Sequence, residues 1–345
     1  MNLCKDNTRS LSLDYIRILA ILFVIMIHTT SDFIEFDTSS SSYLWGNIFD
    51  SMSRAGVPLF VMVSGALMLD EGKNITIKKI FSKYILNILF LFIIWSCFYA
   101  FVHSAKNIFE GKTVKISRII EQVVSGEFHM WYLIMIIELY IIVPILKLFV
   151  KKDKAIYIKY LITISLFFSF LPVLFSSLSE SCGVFETLSR QIRRFEYEFL
   201  GVFPTYFITG WYIKNIGIKH TKIVYLMSVF SLIIIILLVQ LTGKSGGAYS
   251  NSNILVYLYS LGIFTFINRV CENKSGTEIT KNLSNLTFGI YIIHVFVLNV
   301  INILYKPVDI TPLSIFVKFS LTSVISFIVT YIISKIPGLR KLVRF

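Results

Sequence analysis

LSLDYIRILAILFVIMIHTTSD, from Leu11 to Asp32, decides how the whole chain is read. It is an apolar run with Arg17 near its start and His28 near its end. At about 100° per residue, their spacing is roughly three full helical turns, which puts both side chains on one face, about 16 Å apart along the axis. A hydrocarbon core is about 30 Å thick, so Arg17 belongs towards one membrane surface and His28 towards the other. Ionisable residues inside a span are costly and ordinarily face a protein interior or a water-filled path. Two readings stay open at this point: a snorkelling arginine with a packed histidine, or a fixed charge and a proton carrier on one axis.

Composition excludes a soluble protein. The 345 residues are 55% hydrophobic and 15% charged, with a mean hydropathy of +0.74, too little polar surface to clothe so much apolar volume. Ten apolar runs are candidate spans: 12–31, 55–70, 84–103, 130–149, 156–175, 203–217, 222–241, 254–270, 285–304 and 313–334. The second and sixth are short and carry Pro58 with Gly65 and Pro204 with Gly210, which predicts tilted or broken segments. The expected fold is therefore an all-α integral membrane bundle of about ten helices.

The net charge of +13 is mostly an orientation signal. Lys5 and Arg9, Lys73 to Lys83, Lys147 to Lys154, Lys214 to Lys222, Arg269 to Lys281 and Lys335 to Arg344 fall on one side, whereas the loop 32–50 holds Asp32, Glu35, Asp37 and Asp50 with no lysine or arginine. The positive-inside rule then places both termini in the cytoplasm. One loop dissents: 104–128 is outer by this count yet carries Lys106, Lys112, Lys115 and Arg118, and residues 106–128 read as an interfacial amphipathic helix. Residues 176–202 form the largest outer loop, where Arg190, Arg193 and Arg194 face Glu186, Glu196 and Glu198. Cys4, Cys97, Cys182 and Cys271 show no metal-like or disulfide spacing, so no metal is expected, and no basic–aromatic surface suggests nucleic acid. Arg17 interrupts the first run and no small-residue cleavage pattern follows it, so it reads as a permanent span rather than a signal peptide.

Five blocks in order resemble the acyltransferase-3 family of integral membrane O-acyltransferases. They are LDYIRILAILFVIMIH (13–28), VPLFVMVSGALML (57–69), HMWYLIMIIELYIIVPIL (129–146), YFITGWYI (206–213) and LTFGIYIIH (286–294). The resemblance implies a single transmembrane acyltransferase domain over residues 1–345 in a bacterial cytoplasmic membrane. It implies transfer of an acyl group, usually acetyl, from cytoplasmic acetyl-CoA to a hydroxyl of an extracytoplasmic or lipid-linked cell-envelope glycan. Acetyl-CoA is then a substrate, and no bound cofactor is expected. The family's Arg-x10-His signature maps onto Arg17 and His28. A guanidinium suits a polyanionic donor, and a neutral imidazole can take the proton of an attacking hydroxyl.

Other candidates carry two readings each. Lys78, Lys79 and Lys83 stand where the family often has Arg-x2-Arg; they are CoA-phosphate ligands or a positive-inside anchor. Arg54 is an acceptor or oxyanion ligand, or an interfacial snorkel. His129 and Trp131, with Tyr132, are a sugar platform or an aromatic belt. Glu138, mid-span, and Tyr291 with His294 complete a polar channel or make interhelical bonds. Met62–Gly65 lacks the first glycine of a nucleophile elbow, and no Walker A sequence argues for an ATP-driven pump. A lipid-linked sugar transporter or flippase, or an envelope-assembly subunit, are the rival classes; the ordered blocks favour the enzyme.

Overall fold

The computed structural model describes residues 9–179, 183–195, 201–272, 274–305 and 310–344, and among them there is no strand. Cys4, Lys5, Cys182, Glu196 and Glu198 lie outside the described residues; Cys97 and Cys271 are free thiols. In chain order the helices are α1 (Leu11–Thr30), α2 (Ser41–Ser53), α3 (Gly56–Met68), α4 (Ile77–Lys79), α5 (Leu86–Phe109), α6 (Ile116–Ser125), α7 (Trp131–Phe149) and α8 (Ala155–Ser165). They continue as α9 (Leu171–Leu178), α10 (Gly183–Arg193), α11 (Val202–Asn215), α12 (Thr221–Thr242), α13 (Ile254–Val270), α14 (Glu278–Leu304), α15 (Pro312–Lys335) and α16 (Arg340–Val343). Each of the ten expected spans falls on a helix. Eight helical stretches among the described residues are long and apolar enough to cross a membrane. The 17-residue α13 and the 14-residue α11 are shorter, about 25 Å and 21 Å at 1.5 Å per residue. An all-α membrane bundle results.

The ends of these helices are written locally. Thr277 and Thr311 accept hydrogen bonds from the backbone N–H groups of Thr280 and Ser314, and Pro312 opens α15 where its missing N–H costs nothing. Gly243 closes α12 in the left-handed conformation, at φ +66°. Pro58 and Pro204 also sit in first turns, three residues past the capping positions Ala55 and Gly201. They start α3 and α11 rather than break them, because first-turn N–H groups have no helical acceptor. Pro144, by contrast, is inside α7 and deprives the carbonyl of Tyr140 of its helical donor.

The two short helices pack on each other through their glycines. A Cβ on Gly65 would lie 1.8 Å from the carbonyl oxygen of Phe207, and one on Gly210 would lie 1.9 Å from that of Met62. Each glycine thus admits the other helix's backbone, the close approach that small residues allow inside membranes. Around this crossing stand α1 and α14, whose apolar residues form the main core with those of α3 and α11. The outward faces of α12 and α15 expose Leu237, Leu241, Phe316 and Ile332, as lipid-facing helices do.

Three segments read from sequence as loops contain helices. In 32–50 the chain forms α2, which buries Tyr43, Asn47, Asp50 and Ser51. Asn47 is bonded across the bundle: its amide donates to the carbonyl of Ile236 at 3.0 Å, and the Tyr249 hydroxyl donates to Asn47 Oδ1 at 2.7 Å. Hydropathy misses such a helix because its buried face is polar. In 176–202 the charged α10 forms, and in 104–128 the expected amphipathic α6 appears with no buried residue, Ile116, Ile120 and Val124 all exposed. The dissenting cations there are partly neutralised locally, Lys112 by Glu110 at 2.5 Å and Arg118 by Glu121 at 3.4 Å.

Candidate active site

The site begins with a clamp at the start of α1. Arg9 donates twice to the Asp14 carboxylate, both at 2.7 Å, and once to Asn285 Oδ1 at 2.8 Å. Ser284 Oγ donates at 2.6 Å to Asp14 Oδ1, the oxygen that also accepts from Arg9 Nη2, so α14 is tied to α1 at this depth. Asp14 lies one turn before Arg17 and would be its natural counter-ion. Its oxygens are already held by Arg9 and Ser284. Among the described residues Arg17 makes no ion pair within 4 Å, and its guanidinium stands half-buried at a cavity wall.

That cavity is about 420 Å³, inside the roughly 300–1,000 Å³ range of small-molecule pockets. Arg17, Val24 and His28 line it from one stripe of α1. Phe60, Ser64 and Leu67 of α3 face them, Tyr132, Ile136 and Tyr140 of α7 close a third side, and Asn285, Phe288 and Tyr291 of α14 a fourth. At the Arg17 end the wall includes Lys73 and Lys83. Lys83 and Tyr84 come from a wider π-helical turn, Ile80–Ile85, a form often found at functional sites. The Lys73 ammonium, in the loop after α3, is held below the usual lysine range by desolvation first and then by Arg17 and Lys79, with Asp70 opposing. Lys147 fixes this loop by donating to the carbonyls of Asp70 and Lys73 at 2.6 and 2.5 Å.

At the other end three imidazoles converge. The ring centre of His28 is 5.2 Å from that of His294, which is 5.3 Å from that of His129. Phe128 meets His28 edge-on at 5.3 Å. The Tyr291 hydroxyl donates to the backbone carbonyl of His129 at 2.5 Å, which ties the start of α7 to α14. No group of three or more His, Cys, Asp or Glu among the described residues is arranged to hold a metal ion. The cavity therefore has a cationic end and an imidazole end, joined by an aromatic and apolar barrel.

Residues 10–335 match the family model of the acyltransferase domain, acyltransferase-3. The chain belongs to the acyltransferase-3 family. Searches of curated proteins and of solved structures return no match. This acyltransferase is thus a multi-pass membrane protein whose family match covers nearly its whole length.

The structure brings together many of the residues singled out from the acyltransferase's sequence. Arg17, His28, Lys83, His129, Trp131 and Tyr291 line the one cavity. His294 lies just behind that wall, fully buried against His28. Arg54 is not in the wall either; its guanidinium is pinned by Asp50 at 2.6 Å and lies 4.1 Å over the Tyr249 ring. Lys78 and Lys79 are exposed outside the cavity, Lys79 donating to the carbonyl of Asn74 at 3.3 Å. Glu138 is exposed on the outward face of α7. Sequence reasoning missed Lys73, Ser64, Tyr84, Tyr140 and Asn285. Lys73 sits next to Asp70 and Glu71 in a polar loop, and reads as solvated until the fold turns that loop back over Arg17. The α3 stripe Phe60, Ser64, Leu67 was the available signal for Ser64, since those spacings share one helical face.

Proposed function

We propose that this acyltransferase carries an acetyl group from cytoplasmic acetyl-CoA to a hydroxyl of an extracytoplasmic or lipid-linked envelope glycan. It would do so in the bacterial cytoplasmic membrane, with both termini inside. One observation carries the reading: Arg17 and His28 share one stripe of one cavity, and the carboxylate that would neutralise Arg17 is already engaged by Arg9. An unpaired guanidinium in a low-dielectric wall is strongly stabilised by an incoming anion. CoA supplies phosphates, and Lys73 and Lys83 extend the cationic end toward them. The barrel beyond, about 16 Å long by helix rise, is of a length that suits an extended pantetheine arm. The thioester then lies near His28.

At that end a neutral His28 takes the proton as the acceptor oxygen attacks the thioester carbonyl. The tetrahedral intermediate collapses with loss of the CoA thiolate, which takes the proton back from His28. Oxygen–carbon bond formation and carbon–sulfur cleavage leave ester and CoA–SH. Trp131 in the cavity wall offers a face for a sugar ring. The test is CoA release and ester formation by purified wild type and His28→Asn with a glycan acceptor. Loss of general-base help removes about 10²–10⁴ in rate. Turnover by His28→Asn within about threefold of wild type, far short of that magnitude, with both proteins monodisperse on size exclusion, would sink the assignment.

A further inference from the structure

His294 is fully buried on α14, and its environment fixes which of its nitrogens bears the proton. Nδ1 lies 2.6 Å from the carbonyl oxygen of Tyr291. A carbonyl oxygen only accepts, so Nδ1 is the N–H, and Nε2 of the neutral ring is left as a lone-pair acceptor. That Nε2 is buried and has no hydrogen-bond partner. Its two imidazole neighbours are His28 and His129. His129 is fenced by Tyr99, Tyr291 and Phe128, with ring centres 5.4–5.6 Å away. His28 is half-buried and borders the open cavity, so it is the ring with freedom to turn. Two imidazoles joined by an N–H···N bond of about 3 Å have centres roughly 5 Å apart. His28 and His294 already stand at 5.2 Å with their planes 34° apart, and a turn of the His28 ring closes the bond.

We infer that His294 is the positioning residue of the transfer, accepting the N–H of His28 at Nε2 and thereby aiming the lone pair of the other His28 nitrogen at the acceptor hydroxyl. This rests on the reading of His28 as the base. The hydrogen bond on one ring nitrogen sets the tautomer of the other. When His28 takes the hydroxyl proton, both of its nitrogens carry hydrogen, and the bond to His294 becomes charge-assisted. The proton then passes from His28 to the departing thiolate. His294 neither gains nor loses one.

Two substitutions separate this role from packing. Asn places its amide nitrogen near the Nδ1 position and keeps the bond to Tyr291, without an acceptor for His28. Gln reaches the Nε2 position with an oxygen that can accept from His28. His294→Gln should keep kcat within about tenfold of wild type and His294→Asn should lose about 10²-fold or more, the lower bound for a disabled general base. The KM for acetyl-CoA should stay within about threefold in both, because neither touches the cationic end; this bound is small beside the general-base magnitude. A packing role predicts the reverse order, and Asn equal to or better than Gln overturns the inference. If both variants misfold, ¹⁵N-histidine solid-state NMR of the wild type in bilayers decides. A nitrogen–nitrogen coupling across a His28–His294 hydrogen bond is expected; its absence overturns the inference. His28→Asn, run alongside, keeps the two readings apart: activity there refutes the base itself, whereas an inactive His28→Asn with the wrong Gln–Asn order refutes only the role of His294.

Discussion

Replacing Gly65 by alanine tests the crossing on which the cavity rests. The added Cβ would sit 1.8 Å from the carbonyl oxygen of Phe207 and 2.8 Å from its Cα, where ordinary contact begins near 3.4 Å. To relieve it, the backbones of α3 and α11 must separate locally by about 1.6 Å, since the obstacle is main chain rather than a side chain that can swing aside. Gaps of 0.5–1 Å already forfeit a quarter to a half of a dispersion contact. Leu59, Met62 and Val63 of α3 and Phe207, Ile208 and Trp211 of α11 are all essentially buried and stand to lose such contacts. Overpacking typically costs about 1–3 kcal/mol, and a backbone obstacle puts this site at the upper end, about 3 kcal/mol. Gly210→Ala attacks the same crossing from the other side. Once one alanine has parted the helices, the second meets less resistance, so the double variant should cost less than the sum by about 0.5–3 kcal/mol. The assay is thermal unfolding in detergent, with exposed Gly246→Ala as control because a Cβ there meets nothing within 4 Å. Turnover should fall with Gly65→Ala, since the neighbouring Ser64 lines the cavity. A Gly65→Ala protein that melts with the control would refute the close-crossing account.

Three further outcomes follow from the same geometry. Arg17→Lys keeps a charge but loses the planar fork, so acetyl-CoA binding measured by titration calorimetry should weaken, and Arg17→Ala should weaken it by about 1.5–3 kcal/mol, the worth of hydrogen bonds to a charged group; unchanged binding by Arg17→Ala removes its role toward the donor. The ammonium of Lys73 is held low, so it loses its charge as pH rises through a value below the usual lysine range. Wild-type affinity for acetyl-CoA should therefore decline on the alkaline side earlier than that of Lys73→Gln, and parallel curves would exclude Lys73 from the donor site. A cysteine at Ser41, exposed at the start of α2, should react with an impermeant thiol reagent from outside intact cells, and one at exposed Asn74 should not; the opposite pattern inverts the orientation.

The bundle was legible because its determinants are local. Apolar run length marks α1, α5, α12 and α15 directly, whereas α14 begins at Glu278, seven residues before the apolar run at 285, behind its Thr277 cap. The helix α2 was not legible: its buried face is made of Asn47, Asp50 and Ser51, and Asn47 is bonded by partners some 190 residues away in the chain. The prolines of α3 and α11 suggested breaks because a sequence does not announce which residue is the cap. One turn's difference in register converts a helix breaker into a helix starter. The same limit applied to the cationic end. Lys78, Lys79 and Lys83 are indistinguishable in sequence as basic residues, and the π-helical turn is what sends Lys83, alone of the three, to the wall.

Arg17 shows how a fold can reserve a charge. In sequence Asp14 precedes it by three residues, a spacing at which oppositely charged side chains on a helix meet. A chain lacking Arg9, Ser284 and Asn285 would be free to pair the two and leave the cavity neutral. Arg9 reaches both oxygens of Asp14 from before the helix, and Ser284 adds a second donor to Oδ1 from α14. The carboxylate that stabilises the start of α1, where an acid complements the helix dipole, is thereby withdrawn from Arg17. The cation remains in the wall without an ion pair within 4 Å among the described residues. Arg9→Gln should weaken donor binding by freeing Asp14 to turn toward Arg17, although Arg9 itself lies outside the cavity wall.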